Sequence, residues 1–174
     1  MMNKIYPFFI KLSCLLVALS FYSCDSTRVD EKYIDFTEGI WPVDSLASFD
    51  FDIENPNEDY NLITYIRNTN DYPYQNIYIK YSLIYNGEEN NDTIINNTLS
   101  DFQLFEVKSG KPFGEMETSL GNSSTGAIYN HPLLLKKDIS FPKEGNYSLE
   151  IQHYMRQDSL EGIIGVGYRI EHSK

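Results

Sequence analysis

From Asn76 to Tyr85 the chain places Ile77, Ile79, Tyr81, Leu83 and Tyr85 at every second position. A side-chain period of two belongs to the β-strand, so this run sends one face to a core and the other to solvent. The pattern recurs. Phe49-Asp50-Phe51-Asp52-Ile53-Glu54 alternates apolar residues with acids. Between Tyr60 and Arg67, Leu62, Thr64 and Ile66 share one face and Ile63 and Tyr65 the other. Tyr147, Leu149 and Ile151 mark an inward face, and Ile164, Val166, Tyr168 and Ile170 form the last alternating run. Asn86-Gly87 is a hairpin signal, with Asp92 to Leu99 as the return strand. Phe102 to Val107 reads as a further strand, and Leu133 to Phe141 as an apolar segment interrupted by Lys136-Lys137-Asp138. Turn residues cluster at residues 68–73, 108–112, 121–126 and 142–145. No amphipathic helix of three turns is visible. Roughly eight or nine short strands spaced this way predict an all-β fold, a single antiparallel β-sandwich domain. A closed barrel is the alternative, but a membrane-spanning one would not carry acids where a lipid-facing band belongs.

The first 23 residues read differently. Lys4 and Lys11 precede an apolar run from Leu12 to Tyr22, and Ser23-Cys24 closes it before Asp25 turns the chain polar. The run has the length of a signal peptide's apolar region and falls short of the ~20 residues that cross a bilayer. Phe21 stands where an ordinary signal peptidase wants a small residue. A small residue directly before a cysteine is instead similar to a lipobox, in which the thiol is acylated and the chain is cut before it. The cysteine count agrees. Only Cys14 and Cys24 occur, and Cys14 leaves with the signal, so no internal disulfide can form. The expected layout is a lipoprotein signal peptide over 1–23, a lipidated tether over 24–33 and a β-sandwich domain over 34–174. A diacylglyceryl group supplies the two chains that stable anchoring needs.

Charge narrows the partners. Loss of Lys4 and Lys11 with the signal takes the −11 chain to −13. Such a domain does not neutralise phosphates, so nucleic acid is excluded as a partner. Docking on anionic headgroups beyond the anchor is disfavoured too.

No catalytic constellation emerges. His131, His153 and His172 lie on separate segments without the spacing of a zinc site. No nucleophile elbow is present, and Gly162-Ile163-Ile164-Gly165-Val166-Gly167 lies in a strand, where glycines mark close packing or a bulge rather than a phosphate cradle. Asp50, Asp52 and Glu54 alternate along a strand and read as a solvated face, not as the shaped oxygen loop of a calcium site. The chain is therefore read as a non-enzyme with no metal and no cofactor.

Tyrosine is abundant, at fourteen residues. Tyr72-Pro73-Tyr74, Tyr78 and nearby Arg67 form a candidate interaction patch for a partner protein or for sugar rings. The competing reading has Tyr72 and Tyr74 sealing the end of the sandwich while Tyr78 pairs across strands.

Two longer patterns carry a resemblance. The first is Ser23-Cys24-Asp25-x-x-Arg28-Val29, then Tyr33, Trp41, Asp50-Phe51, Tyr60-Asn61-Leu62, Arg67-Asn68 and Tyr72-Pro73-Tyr74-x-Asn76. The second is Phe141-Pro142-x-x-Gly145-x-Tyr147, Gln152-x-x-Met155-Arg156 and Leu160-x-Gly162-Ile163-x-x-Val166-Gly167-x-Arg169-Ile170-Glu171. In order and spacing they resemble the GldH gliding-motility lipoproteins of Bacteroidetes. The middle, from about Gly87 to Asn130, matches loosely. The resemblance implies a lipid-anchored lipoprotein of the cell envelope, a non-enzymatic component of the gliding machinery that acts through protein–protein contact. It implies partners among envelope proteins of that machinery or its associated secretion route, with the outer membrane favoured over the inner. A surface glycan-binding lipoprotein that uses exposed tyrosines is the alternative. No catalytic residue carries over.

Overall fold

The computed structural model describes residues 27–88, 90–117 and 126–174. The signal segment, Cys24 and the loop over 121–125 lie outside the described residues. Among them are eleven strands and one 3₁₀ turn at Thr37–Gly39. Numbered in chain order, one sheet runs β1 (Arg28–Asp35), β11 (Ile163–His172), β4 (Asp59–Thr69), β8 (Ile128–Ser140) and β7 (Glu115–Glu117). The other runs β3 (Ala47–Ile53), β9 (Gly145–His153), β5 (Asn76–Asn86) and β6 (Asn91–Gln103). A two-stranded ribbon of β2 (Ile40–Pro42) and β10 (Ser159–Glu161) accompanies them. Every pairing is antiparallel. The all-β sandwich expected from the alternation is the fold.

Parity decides what is buried. In β5, Ile77, Ile79, Tyr81 and Leu83 are buried, and in β3 Phe49, Phe51 and Ile53 are buried while Asp50 and Asp52 are exposed. Tyr147, Leu149 and Ile151 of β9 complete the inner face of that sheet. Leu62, Ile66, Val166, Tyr168 and Ile170 face them from the other sheet. Phe51 is ringed by Phe141, Tyr147 and Tyr168, with centroids 5.4–6.1 Å away, a spacing at which aromatic pairs attract beyond their area. The ribbon inserts Trp41, fully buried and stacked on Phe36 at 5.2 Å, into one end of the core. Its indole N–H donates to the Ser45 carbonyl at 2.8 Å.

Four expectations need correction. Residues 28–33 are not tether, because β1 begins at Arg28 and lies along β11. The charges that suggested a solvated linker are satisfied within the sandwich. Glu31 bonds Arg28 and Arg169, Asp30 accepts from the Tyr168 hydroxyl, and Lys32 donates to the Asp50 carbonyl of β3. The proposed strand from Phe102 to Val107 ends at Gln103. Leu104 turns into the core, and Glu106 N–H donates to the Lys111 carbonyl in a small hairpin. Interruption by Lys136-Lys137-Asp138 does not break β8. Its register against β4 shifts there, and Asp138 takes φ 49°, so the charges are accommodated in an outward bulge. In β11 it is Ile163, not Ile164, that is fully buried, since the register shifts between Ile163 and Gly165.

Candidate interaction site

The outward face of β5 carries Tyr78 and Lys80 because Ile77, Ile79 and Tyr81 point inward. Across the ladder, Leu99 of β6 sits opposite Lys80. On the other side β9 ends at His153, and the chain turns out of the sheet. Tyr154 N–H donates to the Tyr78 carbonyl at 2.7 Å, and Tyr78 N–H points to the Met155 Sδ at 3.4 Å. These contacts fold the segment after β9 back over the sheet and leave a hollow of about 510 Å³, lined by Tyr74, Tyr78, Leu99 and residues 154–157. Its walls are exposed: Tyr78 at 38%, Leu99 at 50% and Tyr154 at 55%. The Lys80 ammonium lies 3.6 Å from the centre of the Tyr154 ring, a cation–π contact that fixes the tyrosine.

The residues proposed from sequence part company here. Tyr74 and Tyr78 line the hollow. Tyr72 is 5% exposed and belongs to the core, with its hydroxyl donating to the Asn76 carbonyl at 2.8 Å. It meets Tyr74 edge-on at 5.5 Å and so supports the hollow's wall from behind. Arg67 stands on the outer face of the five-stranded sheet, paired with Asp35 at 3.0 Å and Glu117 at 3.1 Å. The sequence reading of the surface overlooked Leu99, Tyr154 and Met155. Tyr154 follows inward His153, so it has outward parity like Tyr78, but only the β5–β9 register brings the two together.

Two histidines are buried among the described residues, on separate strands. His131 accepts the Gly114 N–H at Nδ1, 3.1 Å away, and burial lowers its pKa to about 4. His153 is fully buried edge-on to Trp41, and burial lowers its pKa as well. Each sits apart on its own strand. Among the described residues, no group of three or more His, Cys, Asp or Glu side chains is placed to hold a metal ion, and no helix is long and apolar enough to cross a membrane.

Fold and surface together define a small antiparallel sandwich whose distinctive external feature is an aromatic hollow between β5, β6 and the segment after β9. The chain belongs to the GldH lipoprotein family, whose model matches residues 28–170. It is similar to a gliding motility lipoprotein GldH homolog of Christiangramia forsetii, 33% identical over 99% of both chains. It is also similar to the gliding motility lipoprotein GldH of Flavobacterium johnsoniae, 30% identical over 90% of this chain and 92% of that one. No solved structure matches it. Membership makes the protein a lipid-anchored lipoprotein of the cell envelope with a non-enzymatic role.

Proposed function

We propose that this protein is a component of the gliding-motility machinery, anchored by lipid on Cys24, that works by holding other envelope proteins. Residues 1–23 direct export and are removed, and the anchor rests in the outer membrane. The partners belong to that machinery or to the secretion route associated with it. The observation that carries this reading is the similarity to two gliding motility lipoproteins over nearly the whole chain. The aromatic hollow supports it, since tyrosine, methionine and arginine are the residues enriched at the centres of protein interfaces. The test is recovery of partners from envelopes crosslinked in living cells. The reading expects gliding or secretion proteins to co-purify with the lipoprotein. Turnover of any envelope polymer by the purified protein would overturn it.

A further inference from the structure

The two ends of the sandwich differ in chemistry, and the chain's entry point says which is nearer the membrane. β1 starts at Arg28, opposite Glu171 near the end of β11. His172 pairs with Tyr60 and Asp59 with Ser140, so the start of β4 and the end of β8 share that end. Asp30, Asp52, Glu54 and Glu58, with Lys32 as the one lysine among them, line a depression there beside Tyr60 and His172. At the other end Asn76 pairs with Gln103, and Tyr154 bonds Tyr78. The aromatic hollow is at this far end.

Only four residues of reach separate Cys24 from Arg28, at most about 14 Å of extended chain. β1 itself is about 26 Å long at a strand's rise per residue. A lipid on Cys24 therefore keeps the acidic end by the headgroups and holds the hollow roughly a strand's length beyond it. On this chain of net charge −11, Lys80 and Arg156 flank the hollow, and neither makes an ion pair among the described residues.

We infer that the anchor-distal hollow receives a protein segment presenting an apolar or aromatic side chain beside a carboxylate. The apolar group packs against Tyr78, Leu99 and Met155, and the carboxylate meets Arg156 and Lys80. Guanidinium fits a carboxylate with two parallel hydrogen bonds, which fixes direction as well as charge. A sugar ring is the poorer fit, because Lys80 already occupies one face of Tyr154. The inference rests on the reading of this protein as an anchored interaction component.

The probe is a library of short peptides combining Leu, Phe or Trp with Asp or Glu, applied to the full-length lipoprotein in detergent. Replacing each acid by Asn or Gln, or introducing Arg156→Glu, is expected to weaken binding about tenfold or more. Arg156 is exposed, so its charge reversal leaves the fold intact, and an unchanged thermal midpoint checks this. Binding indifferent to both changes, or binding of oligosaccharides alone, overturns the inference. In the cell's own envelope a photo-crosslinking residue is placed at position 154 and, separately, at position 54. Crosslinks at 154 that vanish with Arg156→Glu support the hollow. Crosslinks at 54 alone overturn the hollow but leave the interaction reading standing. Crosslinks at neither position overturn both.

Discussion

His131 shows how a single side chain ties this fold to pH. Its ring is 1% exposed and holds the Gly114 backbone through an unprotonated Nδ1. In the unfolded chain the imidazole protonates near its ordinary value of 6.5, whereas in the fold it resists until about 4. Below 6.5 the unfolded state binds the extra proton first, so stability is lost as pH falls from about 6.5 to 4 and then levels. The loss attributable to this residue is about 3 kcal/mol at most. His131→Gln should flatten the acid limb of a urea-midpoint profile, with His153 sustaining the remaining slope. An unchanged limb would mean that burial of His131 does not set it. Gly162 makes a different demand. It adopts φ +80°, and a Cβ there would sit 2.3 Å from the Tyr72 backbone nitrogen. Gly162→Ala should therefore destabilise by about 2–3 kcal/mol, from left-handed strain plus the clash. A thermal midpoint near that of the parent would contradict the close approach. In the sequence this glycine run reads as close packing or a bulge, and Gly162 packs against the Tyr72 backbone. Gly167, whose Cβ would meet the Tyr33 ring at 2.4 Å, fits the same reading.

At the scale of elements, alternation was the legible part. β3, β5 and β9 lie where their period-two patterns put them, because each buries one face against the opposite sheet. Ile79→Asp places an unpaired charge in the fully buried face of β5 and should unfold the domain. Lys80→Asp, on the outer face, loses the cation–π contact with Tyr154 and should cost about 1 kcal/mol or less. Urea midpoints compare them directly, and equal midpoints would refute the register. The less legible elements are those whose sequences lack an apolar alternation. β1 is built from charges that are paired only once β11 and β3 are beside it. The β2–β10 ribbon is three residues per strand, too short for any period to register. The hollow was half legible. Tyr74 and Tyr78 were visible as an aromatic cluster, but Tyr72 is core and Arg67 faces out from the other sheet. Tyr72→Ala should then cost about 3–5 kcal/mol, as large aromatic truncations do, while Tyr154→Ala stays within about 1 kcal/mol. Equal losses of thermal midpoint would place both rings in the same environment and contradict the division between wall and support.

For the whole molecule, the consequence of the fold is polarity along the strands. The chain enters beside a carboxylate-lined depression and displays aromatic side chains at the opposite end. A sandwich with this layout needs no membrane contact of its own if a covalent lipid holds it, since two acyl chains suffice for stable anchoring. The gliding role proposed for this chain depends on that anchor, whereas the family match covers residues 28–170, the folded domain itself. The proposed anchor residue, Cys24, can be replaced without touching the domain, since it precedes β1. Metabolic labelling of cells with a fatty-acid probe, comparing the parent with Cys24→Ala, tests it most directly. The account predicts label and membrane fractionation for the parent, and for Cys24→Ala no label and a heavier, uncleaved precursor. Undiminished label on Cys24→Ala would contradict it.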